Sequence, residues 1–148
     1  MSTENVFSQR FEIVGRDFSR AGSISTKIKE ILQELGVDSS VIRRTAIAAY
    51  EAEMNVVMYA TKGEIILSLT PSAIHIQIKD EGQGIEDIEL AMQEGYSTAT
   101  DEMREMGFGA GMGLPNIKKN SDKLEISSTP GIGTTLDIIL YLNQIGKK

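Results

Sequence analysis

Hydrophobic residues repeat with helical spacing in AGSISTKIKEILQELG, where Ile24, Ile28, Ile31, Leu32 and Leu35 share one face and Gly36 stands where a helix stop is expected. Asp38 and Ser39 are placed to cap a second predicted helix that runs through VIRRTAIAAYEAEMNVVMYAT and closes near Lys62-Gly63. This second helix is rich in alanine and methionine and unusually apolar, which predicts that it lies against a sheet.

Elsewhere the pattern alternates. QRFEIVGRD is a short, partly alternating first strand, and EIILSLT and AIHIQIKD, joined at Pro71-Ser72, read as an antiparallel hairpin with Ile74, Ile76 and Ile78 on one face. IEDIELAMQEG suits a short helix. The polar segment YSTATDEMREM has no apolar period, so Gly95 to Met106 reads as a mobile loop. LPNIKKNSD suits a helix with Pro115 in its first turn, where the missing N–H does no harm. KLEISS, TPGIG and TTLDIILYL then form a second hairpin with a strong last strand. Antiparallel strand pairs separated by helices that are apolar on one side predict an α+β fold. The expected architecture is a two-layer α/β sandwich with a mixed, mostly antiparallel sheet and helices on one face. The alternating strand–helix order of a doubly wound sheet is absent.

Composition narrows the chemistry. The chain has 148 residues, enough for one domain with a core of its own, and with 41% hydrophobic and 24% charged residues disorder is not the default. It has no cysteine and one histidine, so thiolate and His-rich metal sites are excluded and any metal must be held by oxygen. Formal net charge is −6, and the basic pairs Arg43-Arg44, Lys118-Lys119 and Lys147-Lys148 are scattered, which argues against nucleic acid as the main ligand. MSTENVFSQRFEIVGRD has no basic segment followed by an apolar run, and no stretch is long enough to span a bilayer; a cytoplasmic protein without membrane contact is expected.

Against that background the stretch GFGAGMGLPNIKK, Gly107 to Lys119, stands out, with four glycines running into a predicted helix. Successive backbone N–H groups at such a place can surround a phosphate, although a glycine cluster seen alone is as well explained by a flexible loop. The glycine–lysine–hydroxyl order of a P-loop is absent, and no Gly-x-Gly-x-x-Gly follows a strand with an acid at the right distance.

Two upstream features add to it. Glu51 and Asn55 in EAEMN are one helical turn apart, about 5–6 Å between Cβ atoms, on one face of an apolar helix. A carboxylate there can orient or deprotonate a hydroxyl, and an amide oxygen can bind Mg²⁺. Glu53 points away from Glu51 and is assigned to a solvent-facing polar stripe. In DEGQGI, Asp80 ends a strand ahead of Gly82 and Gly84, where a carboxylate can accept a hydrogen bond from an exocyclic amine and a flat ring can approach the backbone.

With these elements in this order the chain resembles the GHKL ATPase superfamily, which groups gyrase, heat-shock chaperone, mismatch-repair and histidine-kinase ATP-binding domains. EAEMN resembles the N box, DEGQGI the first glycine box, GFGAGMGL the second, and GIGTT the threonine-bearing final hairpin. The resemblance implies that Glu51 is the general base, Asn55 the Mg²⁺ ligand, Asp80 the adenine reader supported by Thr134, and Gly107, Gly109, Gly111 and Gly113 the phosphate loop. Gly82, Gly84, Ile85 and Leu114 are further nucleotide-binding positions on the same warrant. It covers nearly the whole chain, so residues 1–148 are expected to form one ATP-binding kinase domain.

Within that superfamily the small size, EGYSTAT and the GLP after the glycine run look most like the bacterial anti-sigma-factor serine/threonine kinases, especially the switch kinases of stress signalling. The resemblance implies ATP and Mg²⁺ as cofactors and transfer of the γ-phosphate to Ser or Thr of a STAS-domain antagonist, with Ser97 and Thr98 in the ATP lid. It leaves open a sigma factor as partner and a homodimer. A histidine kinase is disfavoured, because the only histidine, His75, lies on a strand and reads as an outward residue, and no dimerising phosphoacceptor helix is present. Arg104 is the one candidate cation in the lid, and Met103, Met106 and Met112 are assigned to loop packing ahead of docking. A nucleotide-gated module that sequesters a sigma factor without chemistry would use the same site and stays open as the alternative.

Overall fold

A computed structural model describes residues 7–93 and 113–142. The element order is β1 (Phe7–Val14), a single 3-10 turn (Phe18–Arg20), α1 (Ser23–Glu34), α2 (Ser39–Tyr59), β2 (Ala60–Leu69), β3 (Ala73–Gly82), α3 (Ile88–Ala91), α4 (Gly113–Lys119), β4 (Lys123–Thr129) and β5 (Gly133–Tyr141). The five strands form one sheet in the order β1-β2-β3-β5-β4, and every pairing is antiparallel. The expected two-layer α+β sandwich is therefore present, with a sheet more uniform than the mixed one expected. No helix among the described residues is long and apolar enough to cross a membrane.

Cross-strand register explains where the core stops. On the helix-facing side, Leu67, Ile76 and Ile138 form one row, and Ile65, Ile78 and Leu136 the next, all buried. The row after that is Gly63, Asp80, Thr134 and Ser128, so the same face turns from apolar to polar at the C-terminal end of β3. The opposite face carries Arg10, Ile66, Gln77, Asp137 and Glu125 in one row and is mostly polar. His75 lies on that outer face as expected, with Nε2 2.9 Å from Asp137 Oδ1.

The apolar face is covered by α2, which touches β1, β2, β3 and β5 and carries α1 and α4 on its flanks. Ala48, Ala49 and Ala52 are fully buried along it. Their lack of side-chain bulk lets the helix axis approach the sheet closely. Its start is capped as expected, with the Asp38 carboxylate accepting from Ser40 N at 3.1 Å. Gly36 ends α1 with φ of 76°, the left-handed conformation in which glycine avoids the Cβ penalty.

Two expectations need correction. The second helix does not reach Lys62-Gly63: Ala60 is already extended, and β2 begins there because Lys62 and Gly63 pair with Val14 and Ile13 of β1. Sheet pairing overrides a sequence that would equally suit another helical turn. Nor is Glu53 on a solvent-facing stripe. It is 2% exposed, and its carboxylate accepts hydrogen bonds from Gly22 N (3.1 Å), Ile24 N (3.3 Å) and Ser25 N (3.0 Å). The N-cap of α1 is Gly22, which has no side chain to cap with, and Glu53 supplies that acceptor from the middle of α2. Burial pushes the Glu53 carboxyl above its ordinary range, against the pull of those N–H groups.

Removing the cap should be expensive. Glu53→Ala strands three helix N–H groups in a buried place and is expected to lower unfolding free energy by about 2–3 kcal/mol. Glu53→Gln, which keeps one acceptor oxygen, should lose less. Urea unfolding with an unchanged slope checks this, and a loss below about 0.5 kcal/mol for Glu53→Ala would mean that the N–H groups find water instead.

Candidate functional site

The polar row at the end of β3 is the first half of the site. Asp80 is half-buried, and among the described residues its carboxylate accepts from Thr134 N at 3.2 Å. Burial pushes its carboxyl above the ordinary range, and the Thr134 N–H offsets part of that. Thr134 in turn places its hydroxyl oxygen 2.8 Å from Ser128 Oγ. Ser128 Oγ also accepts from Ile85 N at 2.7 Å and lies 3.1 Å from the Gly133 carbonyl oxygen.

The DEGQGI segment is fastened over this row. Gly82 N donates to Ile132 O at 3.0 Å, and Gly131 N donates to Gln83 O at 2.8 Å, which ties the segment to the β4–β5 turn. Gly84 has φ of 73°, and a Cβ there would overlap the Thr129 carbonyl, so no other residue fits without displacing the turn. Gly82 sits against the junction of α2 and β2, close to Tyr59 and Ala60.

The second half lies on α2. Glu51 and Asn55 share the face that α4 packs against: a Cβ on Gly113 would stand 3.1 Å from Asn55 Oδ1 and 3.6 Å from Glu51 Oε1. The last glycine of GFGAGMG therefore meets both polar residues of EAEMN, which the sequence alone could only place in order. One turn further along α4, Asn116 Nδ2 donates to Glu51 Oε2 at 3.2 Å. Desolvation pushes the Glu51 carboxyl up, and the Asn116 bond pulls it down. Leu114 packs its side chain on the core beside buried Pro115 and Ile117.

The structure thus brings together Glu51, Asn55 and Gly113 on one side, and Asp80, Gly82, Gly84, Ile85 and Thr134 on the other. Ser97, Thr98, Gly107, Gly109 and Gly111 lie outside the described residues, as do Met103, Arg104, Met106 and Met112. Two participants were missed. Ser128 reads as an ordinary member of the alternating run KLEISST, and only its register partner, Thr134, reveals it. Asn116 could have been found from its helical spacing to Gly113, which puts both on the side that meets α2.

Chemically, the arrangement offers a half-buried carboxylate and an amide oxygen beside the helix that begins at Gly113, and a second half-buried carboxylate at the end of the apolar rows whose hydrogen bond among the described residues comes from Thr134 N. Both carboxyl groups have raised pKa values in the fold, so the folded state holds their protons more tightly than the unfolded chain does. Their contribution is most favourable below the unfolded carboxylate pKa and declines as pH rises through the raised values. Glu51→Gln with Asp80→Asn keeps the accepting oxygens and removes both titrations. Relative to that double variant, wild-type stability should fall as pH rises from about 4, the ordinary carboxylate range, through the raised values. Urea unfolding across that range tests it; a difference that is flat or rises with pH would contradict the burial of these groups.

Comparison with known proteins gives this geometry a setting. A search of solved structures finds a chain of the SiaB–SiaC complex from Pseudomonas aeruginosa, with a TM-score of 0.60 over 92% of this chain and 89% of that one; at 13% identity the likeness concerns the fold. Among curated proteins, the anti-sigma F factor of Caldanaerobacter subterraneus subsp. tengcongensis is 32% identical over 124 residues, 84% of this chain and 79% of that protein. The serine/threonine-protein kinase RsbT of Bacillus subtilis is 30% identical over 118 residues, 77% of this chain and 83% of that protein. Residues 17–140 match the model of the histidine kinase-like ATPase domain, a span that holds every described residue of the site, and the chain belongs to that family.

Proposed function

We propose that this protein is an ATP-dependent serine/threonine protein kinase of the anti-sigma regulatory type, acting on Ser or Thr of a STAS-domain antagonist. The observation that carries the reading is the meeting of Gly113, Glu51 and Asn55: the glycine run ends against a carboxylate and an amide, next to where phosphate groups would be received. The family, and the names of an anti-sigma F factor and of a serine/threonine kinase among the relatives, support it.

In this reading Asp80 accepts a hydrogen bond from the exocyclic amine of adenine, and Gly82, Gly84 and Ile85 hold the backbone against the ring. Asn55 would present the hard oxygen donor that suits Mg²⁺, and the ion, when bound with the nucleotide, would neutralise phosphate charge. Glu51 takes the proton of the acceptor hydroxyl as its oxygen bonds to the γ-phosphorus and the bond to the β-phosphate oxygen breaks, releasing ADP. Its raised pKa makes it a better proton acceptor than an exposed glutamate, and Asn116 fixes its orientation.

The test is transfer from γ-labelled ATP to the STAS-domain proteins of the source organism. Glu51→Gln should leave ATP affinity within a few-fold and cut transfer by about 100-fold or more. Asp80→Asn should weaken ATP binding by about 10-fold, the worth of one buried hydrogen bond. Undiminished transfer by Glu51→Gln would remove the general-base role. A stable ATP-dependent complex with a sigma factor, and no labelled protein, would favour the sequestering module that the anti-sigma relatives also support.

A further inference from the structure

We propose that Ser128 is a positioning residue for purine selectivity: it holds the Thr134 hydroxyl proton away from the site, so that Thr134 offers only lone pairs beside Asp80. The inference rests on the reading that Asp80 meets the base.

It follows from counting protons. A serine hydroxyl has one proton to donate and two lone pairs. Around Ser128 Oγ, the Ile85 N–H at 2.7 Å can only donate and the Gly133 carbonyl at 3.1 Å can only accept. The first takes one lone pair and the second takes the proton. One lone pair remains for the Thr134 hydroxyl at 2.8 Å, and Thr134 must be the donor. This is the one assignment in which all three contacts are hydrogen bonds. Thr134 then has no proton left for the site. Asp80, next to it in the same row, already accepts from the Thr134 N–H through Oδ1 and as a carboxylate is also an acceptor.

The row therefore presents acceptors alone. A 6-amino purine brings N–H groups to them. A 6-oxo purine puts a carbonyl oxygen against those lone pairs where the amine stood, and its N1–H, one ring position away, is the one donor it offers in exchange. Inosine triphosphate carries that 6-oxo group in place of the 6-amino group of ATP, with N1 protonated in consequence, and is the probe.

Wild-type protein should bind ATP about 100-fold more tightly than inosine triphosphate. In Ser128→Ala the Thr134 hydroxyl is released and can donate to the 6-oxo group, so the ratio should narrow by about 5- to 10-fold. Ser128→Thr keeps a hydroxyl and should keep the wild-type ratio; because it also preserves the contacts that fasten Ile85, it separates selectivity from stability. In a Thr134→Val background Ser128→Ala should change the ratio no further, since no hydroxyl is left to release. An unchanged ratio in Ser128→Ala, with discrimination still lost in Asp80→Asn, would overturn the role of Ser128 and leave the adenine reading standing. Narrowing that persists in the Thr134→Val background would also overturn it. If wild type fails to discriminate and Asp80→Asn has no effect, the adenine reading itself falls, and this inference with it.

Discussion

The register of β3 against β5 is the constraint on which the rest of the structure depends. Opposite Ile78 and Ile76 stand Leu136 and Ile138, and these pairs give α2 an apolar floor. One step further along the same two strands, Asp80 stands opposite Thr134. Side chains alternate faces along a strand, so a slip by one residue would expose the isoleucines and turn Asp80 to the outer face. Core and candidate site are therefore specified together: the burial of the isoleucines holds a carboxylate at the boundary of the apolar layer, where it is partly desolvated.

The second helix does several jobs at once, and its composition reflects all of them. Its alanines bring it down onto the sheet, while Glu51 and Asn55 face α4 and Glu53 faces α1. Three polar residues within five positions thus point to two neighbours: Glu53 to the N–H groups of α1, Glu51 to Asn116 of α4, and Asn55 to the start of α4 at Gly113. This is why a helix with so apolar an overall character tolerates them: each is satisfied by a hydrogen bond or lies at the edge of the site.

Much of this was legible beforehand, for physical reasons. The isoleucine alternation of AIHIQIKD, the helical spacing from Ile24 to Leu35 and the glycine at 36 each satisfy a local rule that tertiary contacts then reinforce. The last turn of the second helix was not, since Ala60, Thr61 and Lys62 suit either state and the decision lies with Val14, which is distant in sequence. The insertion of β5 between β3 and β4 has no local signature either, because a hairpin specifies its partner strand and not what pairs with its other edge. Glu53 was misread for a related reason. Helical geometry said that it points away from Glu51, but not that α1 occupies that direction. Ser128 and Asn116 are single polar residues in ordinary patterns, and their partners come from other elements.

The cap that Glu53 provides has a consequence for cooperativity. Most helices carry their first acceptor on the residue that precedes them and can fray by themselves. The first turn of α1 borrows its acceptor from the middle of another helix, so opening it leaves a carboxylate in the interior of α2 without its donors. The start of α1 and the centre of α2 are thereby one opening unit, with local stability set by the more deeply packed partner. Glu51 and Asn55 sit on either side of Glu53 in that unit, and their placement inherits its rigidity.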